Sequence, residues 1–384
     1  GVFPLLMRIL VLCYEYPPVG GGGGRIARSV AEELVTGGNE VRVQTAGMSH
    51  LRAREIIGGV EIFRAQSFRR REDTCAVHEM GLYVATSFLP TLRHIWSWQP
   101  DVIHAHFAMP TGLLAWAVHL LTRMPYVLTA HLGDVPGGVP EQTDRLFRWI
   151  GPLARAVWRR AAAVTAVSTF VQELAELAYN RPVVRILNGI DLADALPAPP
   201  TAIRPERHLV FVGRFNPQKN LLLLIDALEK LSALNWRATF IGDGPDRAAA
   251  EQRIARYDLG ERVHLTGWLP AAEVHGILRA SDILCMPSLA EGLPVAGIEA
   301  LKHGLAIVAS DIPGVRDLVD TGVNGYCVPL NDTAALAFKL QWLLESDETL
   351  LAMKRASWER ARRFDLKAVA AEYKTVLHNA SKQR

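Results

Sequence analysis

Short apolar runs alternate with longer amphipathic segments along nearly the whole chain, which is typical of parallel α/β folds. The short runs are rich in Val, Ile and Leu and are predicted to be buried strands. In the first half the predicted strands are Arg8–Cys13, Glu40–Thr45, Val60–Arg64, Asp101–Ala105, Tyr126–Ala130, Ala163–Val167 and Val183–Leu187. In the second half they are His208–Val212, Arg237–Ile241, Val263–Leu265, Ile283–Met286, Ala306–Ala309 and Gly325–Val328. Predicted helices include Ile26–Val35, Thr111–Thr122, Asp144–Arg160 and Leu366–His378.

The segment Leu192–Arg207 breaks this alternation with four prolines. Proline cannot continue a helix or a central strand, so this segment is predicted to link two α/β domains. We expect an N-terminal domain over 7–195, a second domain over 196–363 and a C-terminal helix over 364–384. Ligands of open parallel sheets bind at the carboxyl ends of the strands, so chemistry is expected in the loops that follow them, facing a cleft.

Composition favours a soluble enzyme of the cytoplasm. The chain has 49% hydrophobic and 21% charged residues, and its net charge of +3 is too small to indicate nucleic-acid binding. The four cysteines show neither metal-ligand spacing nor a disulfide framework, which indicates a reducing compartment. With no Asp-x-Asp pair and no His/Cys cluster of ligand spacing in the sequence, neither a metal nor a cofactor is predicted. No apolar run approaches the roughly 18 residues of a membrane span.

Five glycines, Gly20–Gly24, follow the first predicted strand and lead into a helix. Glycine lets the backbone approach a ligand closely, and a helix N-terminus attracts anions. The pattern Gly22-x-Gly24-x-x-Ala27 resembles a dinucleotide fingerprint, but the second strand ends in Gln44–Gly47 without the acidic residue that a nicotinamide dinucleotide requires. The run therefore predicts phosphate or sugar contact, with a flexible turn as the alternative.

Arg214 and Lys219 flank a turn after the first strand of the second domain. Arginine offers a planar fork to phosphate oxygens and lysine a compact charge, so the pair could neutralise a pyrophosphate. The alternative is two solvated surface cations.

Two carboxylates occur in the segment Glu291–Glu299, which follows the strand Ile283–Met286. Pro294 is predicted to be the first helical residue, which places Glu291 in a loop and Glu299 more than one turn inside the helix. A loop carboxylate can bind sugar hydroxyls and a helical one can bind a ribose. The alternatives are a capping and a solvated glutamate, or a glycosidase acid and nucleophile flanking one bond.

Taken in order, these motifs resemble the retaining glycosyltransferases of family 4. The resemblance rests on Gly213-Arg214…Lys219-Asn220 and Glu291-x7-Glu299, with Asn188–Asp191, Gly242–Pro245 and Gly267–Leu269 as further landmarks. It implies the GT-B fold, two Rossmann-like doubly wound domains facing across a cleft, with the last helix crossing back to the first domain. It also implies metal-independent hexosyl transfer, with retention, from a UDP-sugar or GDP-mannose type of donor to a saccharide or lipid-linked acceptor, as in polysaccharide biosynthesis.

The resemblance also implies residue roles. The catalytic residues would be His131, Glu291, Arg214 and Lys219, with His131 contacting the donor sugar near the reacting carbon. Arg214 and Lys219 would hold the diphosphate, and Glu299 the ribose. Further donor contacts would come from Gly21, Gly22 and Gly23 at the phosphates, Trp268 and Leu269 at the base, and Gly292, Leu293, Pro294 and Val295 beside Glu291. A structural role is the alternative for His131, and His104 and His106 are expected to be core residues.

Some alternatives stay open at this point. A phosphorylase, a nucleotide-sugar epimerase or a non-catalytic nucleotide-sugar sensor could use similar motifs. The segment Asp144–Arg160 mixes aromatic residues with arginines and could lie on an anionic bilayer at the inner face of the membrane, or be an ordinary packed helix. Its apolar members are Phe147, Trp149, Val157 and Trp158, beside Arg145, Arg148, Arg155, Arg159 and Arg160.

Overall fold

The chain forms two compact α/β units. The computed structural model describes residues 6–71, 75–138, 140–193 and 195–383, except the side chains of 140–149. The first unit comprises Gly1–Asp191 with Leu366–Arg384, and the second comprises Leu192–Asp365. The chain therefore enters the second unit after Asp191 and returns to the first unit after Asp365. The domain boundaries predicted from the sequence lie after residues 195 and 363.

The first unit is built on an eight-stranded sheet. Its strands are β1 (Arg8–Cys13), β2 (Glu40–Gly47), β3 (Arg54–Ile57), β4 (Val60–Gln66), β5 (Val102–His106), β6 (Tyr126–Ala130), β7 (Ala163–Ala166) and β8 (Val184–Arg185). Its first helices are α1 (Gly22–Thr36), α2 (Val77–Trp98), α3 (Leu113–Thr122), α4 (Pro140–Arg160) and α5 (Thr169–Tyr179). The strand order is β3-β4-β2-β1-β5-β6-β7-β8. Strand β3 pairs antiparallel with β4, and β1 pairs in parallel with both β2 and β5.

The hydrophobic pattern does not predict β3 or α2. Strand β3 is a partly exposed edge strand without a buried face. Helix α2 carries exposed Leu89 and Trp96, which blur the single apolar stripe by which a helix is recognised. Strand β8 is two residues long, shorter than the predicted Val183–Leu187.

The second unit is built on a six-stranded parallel sheet. Its strands are β9 (Arg207–Val212), β10 (Trp236–Ile241), β11 (Val263–Gly267), β12 (Ile283–Met286), β13 (Ala306–Ser310) and β14 (Gly325–Val328). Its helices are α6 (Leu221–Glu229), α7 (Arg247–Arg256), α8 (Ala271–Arg279), α9 (Val295–Lys302), α10 (Thr333–Glu345) and α11 (Asp347–Arg360). The strand order is β11-β10-β9-β12-β13-β14.

Helix α6 shows how this sheet is covered. Leu221, Leu224 and Leu228 recur at spacings of three and four residues, so they share one face of the helix, and all three are fully buried. Burial of each such side chain contributes about 1.5–3 kcal/mol. They pack in one core with sheet residues such as Phe211 and Phe240.

The last helix, α12 (Leu366–Ser381), belongs to the first unit. The Leu366 N–H donates to the Ile190 carbonyl (3.0 Å). A Cβ on Gly189 would lie 3.0 Å from Val369, so glycine permits this close approach. Val369, Tyr373 and Leu377 are buried, which explains why the chain returns to this unit.

In each sheet there is one point at which the chain stops adding strands on one side of the first strand and begins to add them on the other. From β1 the chain first adds β2 on one side and later β5 on the other; from β9 it first adds β10 and later β12. Loops that leave the carboxyl ends of such strand pairs diverge and open a crevice, which is where ligands of doubly wound sheets bind.

Candidate active site

The loops after β9 and β12 are fastened to each other at the switch point of the second sheet. The Asn216 side chain accepts a hydrogen bond from the Lys219 N–H (3.1 Å), which shapes a tight turn before α6. Gln218 donates through Nε2 to the Ala290 carbonyl (2.9 Å), and the Leu289 N–H donates to the Gln218 carbonyl (2.8 Å). The basic turn and the acidic loop therefore form one rigid edge.

This edge brings Lys219 and Glu291 together. Lys219 Nζ lies 2.5 Å from Glu291 Oε1, with 24% of the lysine side chain and 9% of the glutamate side chain exposed. A carboxylate with so little water around it needs a partner, so each group holds the other in place. Arg214, half-buried, lies in the same turn. The pair offers a cation and a hydroxyl acceptor side by side.

Glycines allow the neighbouring loops to pack directly on this edge. A Cβ on Gly314, after β13, would lie 1.7 Å from the Glu291 carbonyl oxygen. Gly242, after β10, has φ +136°, and its Cβ would lie 1.9 Å from the Gly213 oxygen. Any side chain at these positions would displace backbone, so only glycine allows the loops to pack this closely.

Helix α9 begins one residue later than predicted. Pro294 has φ −70° and ψ 120°, an extended conformation, so it is the N-cap and Val295 is the first helical residue. The prediction that Pro294 opens the helix is wrong by one position. The backbone of Gly292–Val295 still leads from Glu291 into a helix N-terminus, where N–H groups can face an anion.

Glu299 has surroundings different from those of Glu291. Its Oε2 lies 3.3 Å from Lys302 Nζ and 3.4 Å from Nδ1 of His275, a residue of α8. Nearby His303 completes a group of three side chains able to ligate a metal, which spacing along the sequence did not indicate. The two carboxylates thus belong to separate networks.

The loop after β11 carries the residues expected at a nucleobase. Trp268 and Leu269 follow Gly267, whose φ is +75° and whose carbonyl accepts from the Gly242 N–H (2.9 Å). The Trp268 residue is 56% exposed. An indole ring on the surface offers an apolar face on which a base can stack.

In the first unit, the glycines of the run Gly20–Gly24 differ in what surrounds them. Helix α1 begins at Gly22 with Gly21 as N-cap. A Cβ on Gly24 would lie 1.6 Å from the Glu15 oxygen, and one on Gly23 would lie 2.7 Å from Phe107 and 3.1 Å from His131 Nδ1. A Cβ on Gly21 would have no neighbour within 4 Å. Gly23 and Gly24 therefore allow Phe107, His131 and Glu15 to pack directly against the start of α1, whereas no side chain or backbone crowds Gly21.

His131 therefore lies against the start of α1. Its ring stacks on Phe107 with centroids 4.3 Å apart and 25° between the planes. The Asp134 carboxylate accepts from the backbone N–H groups of His131 and Ala108, both at 2.8 Å, which fixes the loop. His131 Nε2 is buried without a hydrogen-bond partner. An unpartnered buried polar atom calls for an explanation, and contact with a ligand is one.

Burial also sets the charges of these two groups. It lowers the pKa of His131 to about 4, so the imidazole is neutral at neutral pH. It raises the pKa of Asp134 to about 7, against the opposing effect of its backbone hydrogen bonds. His131 can therefore exchange hydrogen bonds with a neutral hydroxyl but is not a permanent cation.

Phe107 and Asp134 were not recognised in the sequence as parts of this site. Phe107 has φ +73°, an unusual conformation for a residue with a Cβ, and hydrophobicity does not reveal it. The spacing His131-x-x-Asp134 was a usable signal, because a carboxylate three residues onward can cap a turn. His104 and His106 are fully buried, and His104 Nε2 bonds Thr129 Oγ1 (2.8 Å), which confirms their expected place in the core.

Helix α4 does not present Val157 and Trp158 to a bilayer. Both are fully buried, and Trp158 stacks on Tyr179 with ring centroids 4.0 Å apart. For these two residues the structure supports the alternative of an ordinary packed helix. Phe147 and Trp149, with Arg145 and Arg148, lie outside the described side chains. Within the described residues, the helices include none with the length and apolarity needed to span a bilayer.

We expect Gly24→Ala to destabilise the first unit. Alanine is the better helix former, but the added methyl would overlap the Glu15 carbonyl, and such overpacking costs about 1–3 kcal/mol. Urea unfolding measures the effect, with Gly21→Ala as the matched control in open space. A Gly24→Ala protein as stable as wild type would contradict the tight packing.

The chain matches two families that together span most of its length. Residues 20–194 match "Glycosyltransferase Family 4", and residues 198–360 match "Glycosyl transferases group 1". The 2-deoxystreptamine glucosyltransferase of Streptomyces kanamyceticus is 30% identical over 68% of this chain and 73% of its own length. The phosphatidyl-myo-inositol mannosyltransferase of Mycolicibacterium smegmatis is 26% identical over 98% of this chain and 94% of its own.

A solved structure supports the same assignment at the level of the fold. The Anabaena protein HepE, in complex with UDP-glucose, superposes with a TM-score of 0.76 at 20% identity, covering 97% of this chain and 99% of that one. Two parallel α/β sheets of the Rossmann type are the GT-B architecture. This chain therefore belongs to the family 4 glycosyltransferases of the GT-B fold, enzymes that transfer sugar from a nucleotide-sugar to an acceptor.

Proposed function

We propose that this enzyme is a metal-independent, retaining hexosyltransferase. Its donor is a nucleotide-diphosphate sugar of the UDP-sugar or GDP-mannose type, and its acceptor is a saccharide or lipid-linked glycan precursor. The observation that carries the proposal is the Lys219–Glu291 pair (2.5 Å) at the β9/β12 switch point. Glucosyl and mannosyl transfer by the two relatives, and UDP-glucose in HepE, support this donor class.

In this proposal the second unit holds the donor. Lys219 and Arg214 neutralise the diphosphate, together with the N–H groups around Gly292–Val295. Glu291 accepts hydrogen bonds from sugar hydroxyls, Glu299 holds the ribose, and Trp268 with Leu269 lies against the base. Preorganised cations and amide dipoles of this kind are often the largest single contribution to catalysis, and they can balance a diphosphate without a metal.

The first unit contributes His131 and the glycine run. A neutral imidazole with a buried, unpartnered Nε2 suits a sugar hydroxyl near the reacting carbon. The exposed backbone at Gly21 and Gly22 suits a phosphate oxygen at the start of α1. The C1–O bond to phosphate breaks, the acceptor oxygen bonds C1 on the same face, and the acceptor proton passes to the departing phosphate oxygen.

A nucleotide screen tests the proposal. Ligands that bind only the folded protein raise its unfolding free energy, by about 2.7 kcal/mol at 100 times Kd. We expect UDP or GDP, and one of their sugars, to raise the Tm, and the same sugar to be transferred to acceptor with activity retained in chelator. Activity lost in chelator and restored by Mg²⁺ or Mn²⁺ would refute metal independence. Donor conversion without acceptor would indicate an epimerase, and binding without turnover a sensor.

A further inference from the structure

Three potential metal ligands converge on helices α8 and α9. His275 Nδ1 lies 3.1 Å from His303 Nε2 and 3.4 Å from Glu299 Oε2, and all three atoms lie within 4.8 Å of one another. His303 and the Oε2 atom of Glu299 are buried, whereas His275 and Glu299 each keep about a fifth of the side chain exposed. We propose that His275, Glu299 and His303 form a zinc site.

The distances suit a tetrahedral ion. Zinc lies about 2.0–2.1 Å from histidine nitrogen and carboxylate oxygen, so tetrahedral ligand atoms stand about 3.3 Å apart. Two of the three separations, 3.1 and 3.4 Å, match that value, and the third lies within 4.8 Å. A set of two histidines and one glutamate is one that zinc accepts, and it leaves a fourth position for water.

The fold explains why these side chains meet. Glu299 lies in α9, and His303 is the residue that caps this helix, four positions further on; the His303 N–H donates to the Glu299 carbonyl (3.3 Å), which keeps the two residues one turn apart. His275 comes from α8, the helix that packs beside α9. Two of the ligands therefore lie within helices and the third at the end of one, and sites on such elements hold their geometry well.

The positive charge of Lys302 is expected to weaken the binding of a metal ion at this site. Its ammonium lies 3.3 Å from Glu299 Oε2, so it already provides a positive charge to one of the ligands. A divalent ion must bind against this like charge, which weakens it. Lys302→Met is consequently expected to tighten zinc binding at least tenfold, a result that a purely structural cluster would not give.

Zinc at this place would interfere with the donor. This step rests on the proposed function, in which Glu299 holds the ribose. One carboxylate cannot serve both a metal and two ribose hydroxyls at full strength, so zinc and donor compete. The cluster would then make the transferase sensitive to free zinc, with an increase in donor KM.

Metal binding is measured directly on the chelator-stripped full chain. Co²⁺ is titrated while its visible absorption is followed, and Zn²⁺ is used to displace it. We expect one equivalent per chain with the intense bands of a tetrahedral ion. His275→Gln should lose this signal, whereas His264→Gln, an exposed histidine of the same unit, should retain it.

Equal binding by wild type and His275→Gln, or a spectrum without tetrahedral bands, would overturn the zinc site. The donor effect has a separate readout, the Kd of UDP or GDP with and without Zn²⁺. If the Kd of UDP or GDP for the wild-type protein does not change with Zn²⁺, the proposed competition between zinc and donor is overturned. The cobalt spectrum still tests the zinc site itself. If no nucleotide binds at all, the proposed function fails and the cobalt titration stands by itself.

Discussion

Lys219→Met is expected to lower kcat by about 10²–10³-fold, because the variant keeps the length of the side chain but loses the cation that balances the leaving diphosphate. A charge-assisted hydrogen bond contributes about 1.5–3 kcal/mol, so the Kd of the nucleoside diphosphate should rise about 10- to 100-fold as well. Steady-state kinetics and calorimetric titration with UDP or GDP measure the two effects. Lys230→Met, an exposed lysine at the end of α6, is the matched control.

The ion pair complicates this variant, since Lys219 also compensates the nearly buried Glu291. Removing one partner leaves an uncompensated carboxylate and destabilises the fold. The double variant Lys219→Met with Glu291→Gln removes both charges and should recover stability while remaining inactive. A double variant with near wild-type turnover would show that the pair is structural and that donor phosphates bind elsewhere.

His131→Ala is expected to lower kcat by about 10²–10³-fold, the effect of losing one hydrogen bond made in the transition state, while the Kd of the free nucleotide stays within about twofold of wild type. The reason is that His131 is proposed to contact the sugar, whereas the nucleotide is held by residues of the second unit. This separation of kcat from nucleotide affinity distinguishes His131 from Lys219. His78→Ala, an exposed histidine of the same unit, should match wild type in both measurements.

Because His131 stacks on Phe107, its loss leaves space in the core, and stability must be measured alongside. His131→Gln retains a hydrogen-bonding group near the same place and should recover part of the rate. A folded His131→Ala protein with wild-type kcat would remove this residue from the reaction and leave it a packing role.

Several features were readable from local sequence. Strands β1, β6, β12 and β14 have the predicted bounds. The first three are largely buried parallel strands, which form short, continuous apolar runs with clear ends. The basic turn, the Glu291–Glu299 segment and the glycine run were each found because they follow such strands. The order of these motifs also predicted the family.

Other features depended on which segments meet. The contact between Lys219 and Glu291 joins residues 72 positions apart and exists because β9 and β12 are neighbours in the sheet. The place of His131 beside Gly23 and Phe107 depends on the order β1-β5-β6 in the same way. The inward face of α4 and the grouping of His275 with His303 were likewise not readable, because periodicity does not say what covers a helix.

Hydrophobic periodicity and turn chemistry are local properties, so this sequence by itself determined most of the strands, several helices, the linker region and the candidate residues. Pairing between strands and packing between helices are set by long-range burial, which local patterns do not encode. Only the tertiary structure decided which cation meets which carboxylate, which glycine lies open and what surrounds the ring of His131.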